Sequence, residues 1–169
     1  RHGIGTFVKE HSIEQNFLLS NASLETINDI VALLELRISL ESEAVFLASE
    51  RRKQVHIDQM KAALNDFEMH ISSGENDGTV KADYDFHIAI AEASANQYFV
   101  DFLKYLGEKI IPRARVKSIE QSPENREEYL KAVHHDHVNI FNAIVDQDGL
   151  LARQMMRAHL SKSIKKFKQ

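Results

Sequence analysis

An all-α fold, an antiparallel bundle of about six helices, is predicted from three observations. Apolar residues recur at spacings of three and four along nearly the whole chain, the pattern of amphipathic helices rather than of strands. Proline is scarce, with only Pro112 and Pro123 in the sequence. Serine, asparagine and glycine fall at intervals that suit helix caps and helix ends. A length of 169 residues with 43% hydrophobic content suits one domain large enough to bury a sizeable core.

The first helix is predicted from about Ser23 to Ser49, capped by Asn21 or Ser23, with Ile27, Ile30, Leu34, Ile38 and Val45 near one face. The second runs from about Val55 to Ser72 with Ile57, Met60, Leu64 and Phe67 inward, and Gly74 supplies its end. The third starts near Gly78 and carries Val80, Asp83, His87, Ile90 and Ala91. Asn96 caps the fourth, which is expected to continue to about Ser118 with a kink at Pro112. Ser122 as cap and Pro123 as first residue open the fifth, which reaches about Val145. After the turn Asp146-Gln147-Asp148-Gly149 the sixth occupies about Leu150 to Lys168, so the last two helices form an antiparallel hairpin.

The start of the chain departs from this pattern. Gly3-Ile4-Gly5-Thr6-Phe7-Val8 alternates like a short strand, and a lone strand is marginal in water. Residues 1–8 are therefore expected to belong to a preceding domain, residues 9–23 to form a linker and residues 24–169 to form the helical domain.

Composition narrows the function classes. The absence of cysteine excludes a disulfide framework and any thiolate ligand or nucleophile. No apolar run approaches the ~20 residues of a membrane span and no signal-peptide order is evident, so the expectation is a cytoplasmic protein. A net charge of -4 argues against a nucleic-acid surface on these residues, although residues 24 to 95 carry six Lys/Arg against 14 Asp/Glu and residues 96 to 169 carry 13 against nine. The basic tail, Lys162, Lys165, Lys166 and Lys168, is read as a solvated last helical turn favoured by the helix dipole.

Four polar residues interrupt apolar stripes. Asp83 and His87 stand four apart on the third helix and so share a face. His137 takes its place in the stripe Leu130, Val133, His137, Ile140, Ile144, and His159 in the stripe Ala152, Met156, His159, with Ser163 as a weaker member. The two histidines lie ~15 and ~18 Å from the hairpin bend at ~1.5 Å per residue, so they are expected to face one another. Three imidazoles and a carboxylate directed inward need either separate partners or one divalent cation, and this donor set suits zinc first, with nickel or manganese also compatible. His134 and His135, alternative ligands because they neighbour His137, fall off the stripe and are expected to face solvent; His56 and His70 read as surface residues, while Asp85 points elsewhere on its helix. Arg37, a permanent cation in the first helix, either lines a pocket where it could clasp a carboxylate or pairs with Glu41 one turn later; Arg113 and Arg115 are weaker candidates of the same kind.

Several stretches together resemble the C-terminal ligand-binding domain of the FadR subfamily of GntR-family bacterial transcription regulators. They are Glu35-Leu36-Arg37 with Glu41, Asp83-Tyr84-Asp85-Phe86-His87 with Ala93 and Asn96, His137-Val138-Asn139-Ile140 with Ala143-Ile144, and Met156-Arg157-Ala158-His159-Leu160. The opening strand also looks like the last wing strand of that family's winged helix-turn-helix. The resemblance implies a metal held by Asp83, His87, His137 and His159, a small organic acid completing the coordination with Arg37 in contact, and a homodimer on a palindromic operator read by an N-terminal domain absent here. Six helices rather than seven resemble the metal-binding branch of the subfamily.

Two other readings remain at this point. A metal-dependent hydrolase or hydratase could use the same four ligands, but no second inward carboxylate is evident as its base. A purely structural helical module with packed histidines is the third.

Overall fold

The computed structural model describes residues 26–107 and 123–167, and the six helices within them are α1 (Ile27–Arg51), α2 (Gln54–Ser73), α3 (Asn76–Ala93), α4 (Gln97–Leu106), α5 (Pro123–Val145) and α6 (Gly149–Phe167). The expected all-α bundle is therefore present. The wing strand and linker expected over residues 1–23, the caps Asn21, Ser23 and Ser122, the Pro112 kink, Arg113, Arg115 and Lys168 lie outside the described residues.

Local chemistry sets most of the boundaries. Thr26 caps α1 through a reciprocal capping box, its hydroxyl accepting from Asp29 N while Asp29 accepts from Thr26 N. The helix thus begins four residues later than the Ser23 start expected, and Ile27, its first residue, is exposed rather than inward. Gly74 ends α2 at φ 73, a left-handed position that costs glycine nothing. Asn96 caps α4 by accepting from Tyr98 N. That helix ends at Leu106, where Gly107 takes φ 62 and leaves the helical region; residues 108–118 of the expected helix lie outside the described residues. In the α5–α6 turn Gln147 adopts φ 57, and the Asp148 carboxylate accepts from Leu151 N to start α6.

Packing follows the apolar stripes. α1 lies along α6 and also meets α3 and α5, α2 packs on α3 and α5, the α5–α6 hairpin closes the bundle, and α4 rests on α3. The main core joins Ile38, Val45, Met60, Leu64, Phe86, Ile90, Ile140, Ile144, Met156 and Leu160 from five helices. Each such side chain fully withdrawn from water contributes roughly 1.5–3 kcal/mol. A second cluster, centred on Val100, Leu103 and Leu106, holds α4 against Leu33 and Val80, and a third places Phe67 and Ile71 against Leu130 and Val133. No helix among the described residues is long and apolar enough to cross a membrane.

Candidate metal centre

Asp83, His87, His137 and His159 are all buried, and they converge between α3, α5 and α6. Asp83 and His87 reach the same point because they lie one helical turn apart on α3, where Val80, Phe86 and Ile90 carry that face into the core. His137 arrives from α5 in line with Val133 and Ile140, and His159 from α6 in line with Met156 and Leu160. Ser163 is half-buried beyond it.

The three imidazoles approach one another, and Asp83 meets two of them. His137 Nε2 and His159 Nε2 are 3.2 Å apart. Asp83 Oδ1 is 3.3 Å from His87 Nε2 and 3.7 Å from His137 Nε2. The three imidazoles each offer a ligand atom within 4.8 Å of the others, so they could hold one metal ion. A cation ~2.1 Å from each donor would space neighbouring donors by roughly 3.0–3.4 Å, which the 3.2 Å His137–His159 and 3.3 Å Asp83–His87 separations match.

Aromatic rings fix the orientation. Phe86 stacks on His137 with centroids 4.7 Å apart, and Phe67 meets the same ring edge-on at 5.7 Å. His87 stacks on His159 at 5.8 Å. These contacts leave the rings little rotational freedom in a close-packed interior.

Two carboxylates stand behind the histidines. Glu41 accepts from Arg37 Nε at 2.6 Å through Oε1 and contacts His87 Nδ1 through Oε2. Asp136 lies 3.5 Å from His159 Nδ1 and accepts from Lys162 Nζ at 2.7 and 2.9 Å. Burial would raise the Glu41 carboxyl, but the charges of Arg37 and His87 and the hydrogen bonds from both override it and hold the pKa down to about 2. Burial works against the His87 cation as well, yet the Glu41 charge and the hydrogen bonds to Asp83 and Glu41 raise its pKa above the ordinary value. For His159 burial prevails and the pKa is lowered, with the neighbouring His87 acting in the same direction. Asp136 is lowered because hydrogen bonds from His159 and Lys162 outweigh its burial.

Several expectations change at this point. Of the two alternatives for Arg37, the ion pair with Glu41 is formed, and both partners are buried. Glu41 is a second inward carboxylate, contrary to the expectation that none stands beside the ligands. It was detectable, since Ile30, Leu34, Arg37, Glu41, Val45 and Ala48 continue one buried face of α1. With Arg37 and His87 on its two oxygens, it is not placed as a free base. His134 is half-buried rather than solvent-facing, stacked on Phe67 at 5.9 Å with Nε2 3.2 Å from Leu64 O, because it sits at the α2–α5 seam. His135 is exposed and Asp85 pairs with Lys81, away from the cluster. His56 and His70 are partly exposed at the surface, His70 beside Glu75.

Residues 32–162 match the model of the FCD domain family. The chain belongs to that family. This FCD domain is 30% identical over 171 residues to the HTH-type transcriptional regulator LutR of Bacillus subtilis (strain 168), covering 95% of the chain and 73% of LutR. It is 28% identical over 163 residues to the Uxu operon transcriptional regulator of Escherichia coli (strain K12), covering 95% of the chain and 62% of that protein. In fold it is similar to Streptococcus agalactiae GntR, with TM-score 0.69 and 20% identity over 86% of this chain and 64% of that one. It is likewise similar to E. coli McbR/YncC, with TM-score 0.68 and 15% identity over 84% and 65% of the two chains. The chain thus spans less than two thirds of the Uxu regulator and of both solved structures. It is the FCD domain of a GntR-family transcription regulator, and its relatives are regulators rather than enzymes.

Proposed function

We propose that this FCD domain senses a small organic acid at a divalent cation held by Asp83, His87, His137 and His159. The observation that supports the reading is the meeting of three buried imidazoles, with the buried Asp83 carboxylate beside two of them, His87 and His137. Three neutral donors and one anion satisfy a divalent ion, whereas packed without one they leave several buried polar atoms close together. Zinc is the first expectation; nickel and manganese accept the same donors.

When bound, the cation supplies a Lewis acid for one oxygen of a carboxylate. Arg37, whose guanidinium reaches the same region from α1 through Glu41 and His87, is the residue proposed to contact the acid. Residues 1–8 are proposed to be the last wing strand of a winged helix-turn-helix and residues 9–23 its linker, so that operator DNA is read by a domain preceding this one. The regulator is proposed to act in the cytoplasm as a homodimer. Acid binding between the helices would favour one arrangement of the two copies, which changes the spacing of the attached reading domains and, by linkage, operator affinity.

The test is zinc titration of chelator-washed protein followed by a set of small mono-, di- and hydroxycarboxylates. About one ion per chain, with carboxylate binding detected only after the metal is added, is the expected result. Retention of no zinc, nickel or manganese would remove the chemical basis of the proposal.

A further inference from the structure

Arg37 on α1 and His87 on α3 converge on one carboxylate. Glu41, one turn after Arg37, receives Arg37 Nε at 2.6 Å on one oxygen and His87 Nδ1 on the other. All three side chains are almost wholly enclosed, at 1%, 3% and 1% exposure for Arg37, Glu41 and His87. An ion withdrawn from water this far is retained only when its partners compensate the lost hydration, and here both oxygens are engaged.

The geometry divides the two ring nitrogens of His87 between two tasks. Nδ1 faces Glu41, and Nε2 faces Asp83 Oδ1 at 3.3 Å, inside the cluster. A neutral imidazole carries one N–H, and only its other nitrogen has a lone pair to give to a cation. An ionised carboxylate accepts and cannot donate; Asp83 would hold hydrogen on Nε2 in the same way, but with a cation in the cluster Asp83 is engaged by it, so Glu41 selects the tautomer with hydrogen on Nδ1 and directs the lone pair of Nε2 inward. Arg37 holds Glu41 at the correct rotamer from the far side. Neither partner alone would do both: without Arg37 the carboxylate could swing away, and without Glu41 the ring could hold its proton on either nitrogen.

We infer that Glu41, braced by Arg37, is the positioning residue of the metal centre, making His87 an Nε2 donor by holding its proton on Nδ1. The inference rests on the metal reading above and adds the residue through which α1, which supplies none of the four ligands, governs the affinity of the site.

Zinc alone is the probe. In the zinc-loaded chain with ¹⁵N-labelled histidine, the His87 ring should show a protonated Nδ1 and a zinc-shifted Nε2. Glu41→Gln can donate as well as accept, and should weaken zinc by about ten- to hundredfold in competition with a chromophoric chelator while the population of the Nδ1–H tautomer falls. Arg37→Met should shift both readouts in the same direction by less. Zinc found on His87 Nδ1, or zinc affinity and tautomer unchanged in Glu41→Gln, would overturn the inference while leaving the metal reading intact. Absence of zinc binding by the unsubstituted chain would overturn both.

Discussion

His137 and His159, 22 residues apart in sequence, meet Nε2 to Nε2 at 3.2 Å across the α5–α6 hairpin. Two imidazoles this close and this buried repel one another if both are charged, and can share only one proton if both are neutral. A cation between them would resolve the conflict, so metal binding should stabilise the fold as a whole. At free zinc a hundredfold above its Kd the gain is about 2.7 kcal/mol. For a chain of this size that corresponds to a rise of roughly 5–10 °C in Tm. Calorimetry before and after addition of zinc, and again after a chelator, should show the rise and its reversal; His137→Ala should abolish the response.

The burial of these two histidines was readable from periodicity. His137 and His159 replace apolar residues at positions whose neighbours, Val133, Ile140, Met156 and Leu160, are all buried, and helical spacing alone predicts that. Asn96 and Gly74 marked helix ends because their local chemistry is independent of the rest of the fold. Glu41 was harder, because a glutamate four residues after an arginine reads equally well as an exposed ion pair. What distinguishes the buried case is a third group from another helix, His87, and no local pattern carries that information. The end of α4 at Gly107 turned on a single glycine, set against apolar spacing that continues beyond it.

The Arg37–Glu41 pair should behave as a unit. Arg37→Met removes one charge and leaves Glu41 buried beside His87 alone, a loss expected at about 3–5 kcal/mol in urea unfolding of the metal-free chain. Pairing it with Glu41→Leu removes the stranded charge and should recover much of that loss. Equal and additive effects of the two substitutions would contradict the coupling seen here.

Acid sensitivity should trace to the same carboxylate. Glu41 is held at about 2 in the folded chain against an ordinary value of 4.5, so the unfolded chain binds this proton more tightly. Its contribution, about 3 kcal/mol, is complete above pH 4.5 and is lost as the pH falls from 4.5 towards 2. His87 runs the opposite way: its raised pKa means that its contribution is complete below the ordinary 6.5 and fades as the pH rises through the folded value. In the metal-free protein, Glu41→Gln should therefore flatten the acid limb of a stability–pH curve measured by urea unfolding. An unchanged limb would mean that other carboxylates govern it.

Gly149 and Gly74 make a contrasting pair of controls for stability away from the metal ligands. A Cβ on Gly149 would stand 2.7 Å from both the Phe46 ring and Ser49 Oγ, where α6 begins against α1. The Phe46 ring is itself covered by the Arg153 guanidinium at 4.2 Å, and Ser49 is fully buried with its hydroxyl donating to Phe46 O, so neither gives way freely. Gly149→Ala should cost about 1–3 kcal/mol by overpacking, despite the better helix propensity of alanine. At Gly74 a Cβ meets nothing within 4 Å, and the penalty comes from φ 73 alone, about 1 kcal/mol for alanine. A cavity-making partner should tell the two apart. Phe46→Leu together with Ser49→Ala clears both atoms that the new methyl meets and should rescue Gly149→Ala but not Gly74→Ala, as read from the urea midpoints of the variants with and without this pair; rescue of both, or of neither, would show that the α1–α6 contact is not the source of the strain.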